Sequence, residues 1–194
     1  MGFTGIDARV PPSRCLFVME RSSEDILRIA VVGPESSGKS TLCSLLAERL
    51  EAPRVDEFAR AYLGRLGRPY VEGDLLHIAR GQCAWEDAAA LRARRLIVCD
   101  TDMITIRIWS EEKFGHCDRA LERLARERHY DLRLLCMPDI PWEADPLREN
   151  PHDRDRLFDA YLAALRELAK PFVVVGGGRE ERLHSSLRAI ASIH

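Results

Sequence analysis

The run from Leu27 to Leu46 constrains this chain more than any other stretch. Ile29, Val31 and Val32 read as a short buried strand, and Leu42, Leu45, Leu46 and Leu50 recur at helical spacing beyond it. Between them lies Gly33-Pro34-Glu35-Ser36-Ser37-Gly38-Lys39-Ser40-Thr41, a G-x-x-x-x-G-K-S loop in the strand–loop–helix context it needs. Its glycines let the backbone wrap with N–H groups pointing inward, and the helix N-terminus adds partial positive charge; both suit phosphate. Lys39 then reaches the β- and γ-phosphates, and the Ser40 hydroxyl ligates Mg²⁺. Only three of the 29 Lys and Arg residues are lysines (Lys39, Lys113, Lys170), and one of them stands where the motif requires it. The chain is expected to bind a nucleoside triphosphate.

At 194 residues, 46% hydrophobic and 31% charged, the chain suits one globular domain with a full core. A formal net charge of −2 gives no general attraction to nucleic acid or to an anionic membrane. No apolar run approaches the roughly 18 residues of a membrane span, and the opening Met-Gly-Phe-Thr-Gly-Ile lacks an apolar signal core. The six cysteines are scattered without a C-x-x-C pair and fall where small buried hydrophobes do. The expectation is a cytoplasmic protein with neither nucleic acid nor membrane as partner.

Residues 1–25, with Pro11-Pro12 and no sustained period, read as an N-terminal extension to one domain over 26–194. Within that domain short apolar runs at Arg54–Asp56, Leu96–Cys99, Leu132–Cys136 and Phe172–Val175 join the first strand. They alternate with helical patterns at Glu57–Leu63, from Glu72 to about Arg94, through Leu121 and Leu124, over Leu157–Leu168 and over Leu183–Ile190. Gly81 interrupts the second of these helices at about 1 kcal/mol relative to Ala, which suggests a close approach to its backbone. Strands alternating with helices mean an α/β fold around a parallel five-stranded sheet with both faces covered, and ligands bind beyond the carboxyl ends of such strands. Gly33, Asp56, Asp100, Pro138 and Gly176 share that rim. Pro138 to Arg154 holds four prolines among charged residues and reads as an ordered functional loop.

Asp100 closes an apolar strand, where a nucleotide-binding protein of this type keeps its Mg²⁺ carboxylate; Asp102 either orients the metal water, contacts substrate or caps the next helix. Asp56 and Glu57 reach the same rim, as a base for an attacking hydroxyl or as a cap with an ordinary Glu57–Arg60 pair. Arg60 is that partner or a phosphate ligand. Arg148 and Arg154 in the proline-rich loop are guanidinium forks suited to transferred phosphate, or solvated surface. Trp109, Trp142 and Tyr62 are candidates for stacking on a flat ring, with packing in the core as the alternative.

Taken in order, these motifs resemble those of the nicotinamide riboside kinase domain of NadR-type NAD-salvage proteins. The resemblance rests on the loop from Gly33 to Thr41 and on Glu57-Phe58-Ala59-Arg60-x-Tyr62-Leu63. It continues in Asp100-Thr101-Asp102-x-x-Thr105-x-x-x-Trp109 and Tyr130-Asp131-Leu132, then Pro138-Asp139-Ile140-Pro141-Trp142-x-x-Asp145-x-x-Arg148, Arg154 and Gly178-x-x-x-Arg182. It implies a three-layer P-loop kinase fold of the nucleoside/nucleotide kinase type with a lid loop, and ATP- and Mg²⁺-dependent phosphorylation of the riboside's 5′-hydroxyl. Carried over by position, Gly33, Glu35, Ser36, Ser37, Gly38, Lys39, Ser40 and Thr41 hold the nucleotide and Asp100 serves Mg²⁺. Glu57 and Asp102 face the ribose hydroxyls, and Arg148 and Arg154 belong to the lid. A flat cationic pyridinium suits Trp or Tyr faces and carboxylates.

Two departures stand out. Larger members carry an upstream adenylyltransferase domain and often a DNA-binding domain, and 194 residues leave room for neither, so a kinase alone is expected. Ile104-Thr105-Ile106 stands where members often show paired threonines. The competing readings are a kinase for another nucleoside or small metabolite, and a nucleotide-sensing regulatory ATPase. A GTPase switch lacks its N-K-x-D motif and has Met103 where D-x-x-G needs glycine; an AAA-type remodeller is disfavoured because Thr101, not glutamate, follows Asp100.

Overall fold

In a computed structural model, residues 26–143 and 152–193 are described. The expected extension over 1–25 and Arg148 of the expected lid lie outside the described residues. The order of elements is β1 (Leu27–Val32), α1 (Lys39–Arg49), β2 (Arg54–Val55), α2 (Phe58–Leu66), α3 (Glu72–Ala90), β3 (Leu96–Asp100), α4 (Met103–Phe114), α5 (Arg119–Glu127), β4 (Leu132–Cys136), α6 (Arg154–Glu167), β5 (Phe172–Val175) and α7 (Arg179–Ala191). All pairings are parallel and the strand order is β2-β3-β1-β4-β5, so every strand delivers its carboxyl end to one rim.

Alternation along the strands sorts the core into two layers. Ile29 and Val31 of β1, Leu96 and Val98 of β3 and Leu134 of β4 point to one face, against Leu42 and Leu46 of α1 and Ile190 of α7. Ala30 and Val32, Ile97 and Cys99, and Leu135 point to the other, against Ile78 of α3, Ile104 and Ile108 of α4, Leu121 of α5 and Leu165 of α6. Three of the cysteines (Cys43, Cys99, Cys136) are buried within these layers, and all five described cysteines are free thiols. No helix among the described residues is long and apolar enough to cross a membrane.

One helix was not legible in the sequence. Over α4, Ile104, Ile106 and Ile108 alternate and are β-branched, which is a strand-like pattern. The segment is nonetheless helical: the Asp102 carboxylate accepts the Thr105 N–H at 3.0 Å as its N-cap, and Gly115 at φ 75° ends it. Burial of Met103, Ile104, Thr105, Ile106, Ile108 and Ser110 leaves little polar face in the first two turns to reveal the period. The third helix stops at Ala90, earlier than the expected Arg94.

Two glycines are fixed by close approach. At Gly33 (φ 136°) a Cβ would stand 2.7 Å from the carbonyl oxygen of Cys136, so the loop can leave β1 beside β4 only without a side chain. At Gly81 a Cβ would stand 2.3 Å from the Phe58 ring, which accounts for the interruption in α3. That ring is held edge-on to Trp85 with centroids 4.8 Å apart and cannot simply swing aside. Gly81→Ala is therefore expected to destabilise the fold by about 1–3 kcal/mol in urea titration, although Ala is the better helix former.

Candidate active site

A cavity of about 450 Å³ opens on the rim between the loop from Gly33 to Thr41 and helices α2, α4 and α6. The loop is wound by left-handed residues, Ser36 at φ 53° and Gly38 at φ 79°. Within it the Ser37 hydroxyl donates to the Pro34 carbonyl at 2.8 Å, and Lys39 Nζ donates to the same oxygen at 2.7 Å. Gly33, Glu35, Ser36, Ser37, Gly38, Lys39, Ser40 and Thr41 all line the cavity.

Two arginines grip the loop's backbone from outside. Arg182, 4% exposed, donates from Nη1 to the Ser37 carbonyl at 3.0 Å, from Nη2 to that of Met137 at 3.1 Å and from Nε to that of Gly177 at 2.8 Å. Its charge is met by Asp139. Arg154 donates from Nη1 to the carbonyls of Ser36 at 3.2 Å and Ile140 at 2.8 Å, with its guanidinium 5.9 Å from the Trp142 ring. Expected as a phosphate ligand, Arg154 is thus engaged with the loop's backbone, and Trp142 with Arg154; neither lines the cavity. Each arginine contributes one bond to the loop itself, and the only sequence signal for Arg182 was its place four residues after Gly178.

Glu57 lines the cavity together with Glu35, Glu112 and Glu143. It occupies the N-cap position of α2, yet its side chain does not cap; it turns inward, 14% exposed, with Oε2 3.1 Å from Arg60 Nε. Burial raises its pKa above the usual glutamate value, as does the charge of Asp100; Lys39 and Arg60 pull it back part of the way. Arg60 lines the cavity as this partner. Asp56, by contrast, is 69% exposed, is paired with Arg54 at 2.8 Å and stays outside the cavity wall.

Asp100 ends β3 almost fully buried. Its Oδ2 lies 3.6 Å from Arg54 Nη2, and its Oδ1 has no hydrogen-bond partner among the described residues. Thr101 follows at φ 96°, a left-handed value that β-branched residues rarely take, so the chain turns sharply at this carboxylate. Asp102 is turned away from the cavity. Beside capping α4, it pairs with Arg133 Nε of β4 at 2.7 Å, both residues within 1% of complete burial. The expectation that Asp102 faces a ribose is corrected by this geometry: its charge is spent on the buried guanidinium of Arg133. Removing one member of a buried pair strands the other, so Asp102→Ala is expected to cost about 3–5 kcal/mol of stability in denaturant titration.

The wall opposite the loop is aromatic and basic. Trp109, Ile108 and Leu63 line it, with Tyr70 under Lys113 Nζ at 3.5 Å from the ring centroid. Arg68 joins them, anchored by Asp74 at 2.8 Å; that contact, with the Val71 N–H, holds the Asp74 carboxyl well below the usual range. Tyr62 donates its hydroxyl to Asp74 at 2.8 Å and does not line the cavity. Arg68 and Tyr70 sit in an irregular connection between α2 and α3, where nothing periodic marks them. A second, shallower depression of about 120 Å³ flanks the loop on Thr41, Leu42, Leu45, Ile140, Gly177 and Arg179.

Comparison with known proteins agrees with this geometry. Residues 28–182 match the family model described as AAA domain. The chain is 32% identical to the trifunctional NAD biosynthesis/regulator protein NadR of Escherichia coli K12 over 132 residues, 66% of this chain and 32% of that protein. It thus spans about a third of the length of the curated relatives it matches. A crystal structure of NadR with NR superposes with a TM-score of 0.73 at 22% identity, over 88% of this chain and 52% of that one. NadR with NAD and AMP-PNP gives 0.74 at 20%, over 88% and 50%. Thymidylate kinase from Ehrlichia chaffeensis gives 0.62 at 15%, over 87% and 98%. The fold is that of the P-loop nucleoside and nucleotide kinases.

Proposed function

The chain belongs to the AAA domain family, and on that premise we propose that it is an ATP-dependent kinase for the 5′-hydroxyl of nicotinamide riboside, giving the mononucleotide. One observation carries the reading. A single cavity holds a phosphate loop with its lysine, a buried carboxylate of raised pKa, and the ring of Trp109. A remodelling ATPase would have no use for such a small-molecule chamber. The likeness to NadR, an NAD biosynthesis protein, and the NR bound in a solved NadR structure support this choice of acceptor.

In this reading the loop's inward N–H groups and Lys39 bind the β- and γ-phosphates, and the second depression takes the adenine on Leu42, Leu45 and the Gly177 backbone. The bound AMP-PNP of the related structure supports ATP as the donor. The donor set also fits Mg²⁺: a hard cation prefers oxygen ligands, and the buried Asp100 Oδ1 and the cavity-facing Ser40 offer them. Such an ion, held by Asp100 and Ser40, would offset phosphate charge. Trp109 offers its face to the cationic pyridinium. Glu57 accepts the proton of the 5′-hydroxyl as that oxygen attacks the γ-phosphorus, and the β–γ bridging oxygen leaves with ADP. Arg148 is assigned to the lid, and Arg154 and Arg182 keep the loop in its wound form. The free thiols of the described residues and the demand for ATP suit the cytosol.

A coupled assay of ADP release over a panel of nucleosides tests the proposal. Riboside-dependent turnover well above that of adenosine, cytidine, uridine and thymidine is the expected result. Preference for another nucleoside would reassign the acceptor, and no turnover with any would leave a nucleotide sensor.

A further inference from the structure

The first turn of α2 is capped from another helix. Glu57 stands at the N-cap, where a short side chain such as Asp or Ser ordinarily accepts from the second or third N–H of the helix. Its carboxylate makes no such bond, and the first N–H, that of Phe58, is taken by Gln82 Oε1 of α3 at 2.8 Å. Gln82 is 1% exposed, and its amide is oriented from behind by Glu86, whose Oε1 accepts from Gln82 Nε2 at 3.4 Å. Glu86 is in turn fixed by Arg128 at 2.9 Å and by the Tyr130 hydroxyl at 2.9 Å. The neighbouring Gly81 lets the Phe58 ring lie against the α3 backbone, which brings that N–H within reach.

We propose that Gln82 is a positioning residue for phosphoryl transfer: by holding the N–H of Phe58, the residue next to Glu57, it fixes the start of α2 and so aims the Glu57 carboxylate at the acceptor hydroxyl. This rests on the reading of Glu57 as the base. Without Gln82 the Phe58 N–H loses its acceptor, and the backbone that carries Glu57 loses its tie to α3. Substrate binding through the phosphate loop and Trp109 is untouched by such a change, so the loss falls on kcat.

The test is a double-mutant cycle on the full chain. It uses wild type, Glu57→Gln, Gln82→Met and the double variant, assayed at saturating ATP and riboside with thermal melts at the same pH. Met keeps the length and packing of Gln; where a melt shows Gln82→Met unfolded at assay temperature, Gln82→Leu enters the same cycle at a temperature below its midpoint. Gln82→Met is expected to lower kcat by about tenfold in the wild-type background and by less than about twofold beside Glu57→Gln, with KM for ATP unchanged. Equal factors in both backgrounds, or no effect in either, overturn the positioning role alone. A Glu57→Gln variant that keeps wild-type kcat overturns the base assignment and the positioning role with it, so the two failures are distinguished.

Discussion

Lys39→Ala is expected to lower riboside-dependent ADP release by at least about 10²–10³-fold, the loss typical when a preorganised donor to developing charge is removed. The fold should survive. Lys39 makes its one loop contact with the Pro34 carbonyl, while the loop's wound form is held by Arg182 and Arg154 from outside and by Ser37 from within. A melting temperature near that of wild type together with lost turnover separates removal of the charge from collapse of the loop. Lys39→Arg is no rescue, because a forked guanidinium cannot stand in for a point charge in a loop closed this tightly.

The second large effect concerns Glu57. Glu57→Gln is expected to lower kcat by about 10²–10⁴-fold while leaving ATP binding in place. Its pH dependence has a definite sign. Burial raises the carboxyl's pKa, so the wild-type rate rises with pH through a value above that of an ordinary glutamate, and this acid limb disappears in the variant. Stability runs the other way. A carboxyl whose folded pKa is raised stabilises the fold only while protonated, and that contribution is lost as pH rises through the raised value. At neutral pH the buried charge is a cost that Gln removes, so the inactive variant should melt slightly higher than wild type. Lower activity with higher stability is the signature of a group held in an unfavourable environment for its chemistry.

Much of this molecule was legible before any coordinates. The strand–loop–helix unit at Gly33–Ser40 and the strands at Leu96–Asp100 and Leu132–Cys136 announce themselves because burial on both faces makes short unbroken apolar runs. What failed to show has common physical causes. The first two turns of the helix over Met103–Phe114 are buried except at Arg107 and Trp109, so no helical period shows there and the alternating isoleucines read as a strand. Asp102 looks in sequence like a second site carboxylate, because a capping aspartate and a catalytic one are the same residue; only Arg133 across the sheet decides between them. Arg182 and Arg154 stand in the sequence motifs, but they act on backbone carbonyls, acceptors that every residue carries, so their partners leave no pattern to read. The same holds for Gln82, whose partner is a main-chain N–H on another helix.

A complex with AMP-PNP and nicotinamide riboside, solved by crystallography, tests the central claim most directly. The 5′-oxygen should lie within about 3 Å of a Glu57 carboxylate oxygen, in line with the γ-phosphorus, with the pyridinium against Trp109. A riboside bound outside the cavity lined by Lys39, Glu57 and Trp109, or a 5′-oxygen beyond hydrogen-bond reach of Glu57 in a closed complex, would contradict it.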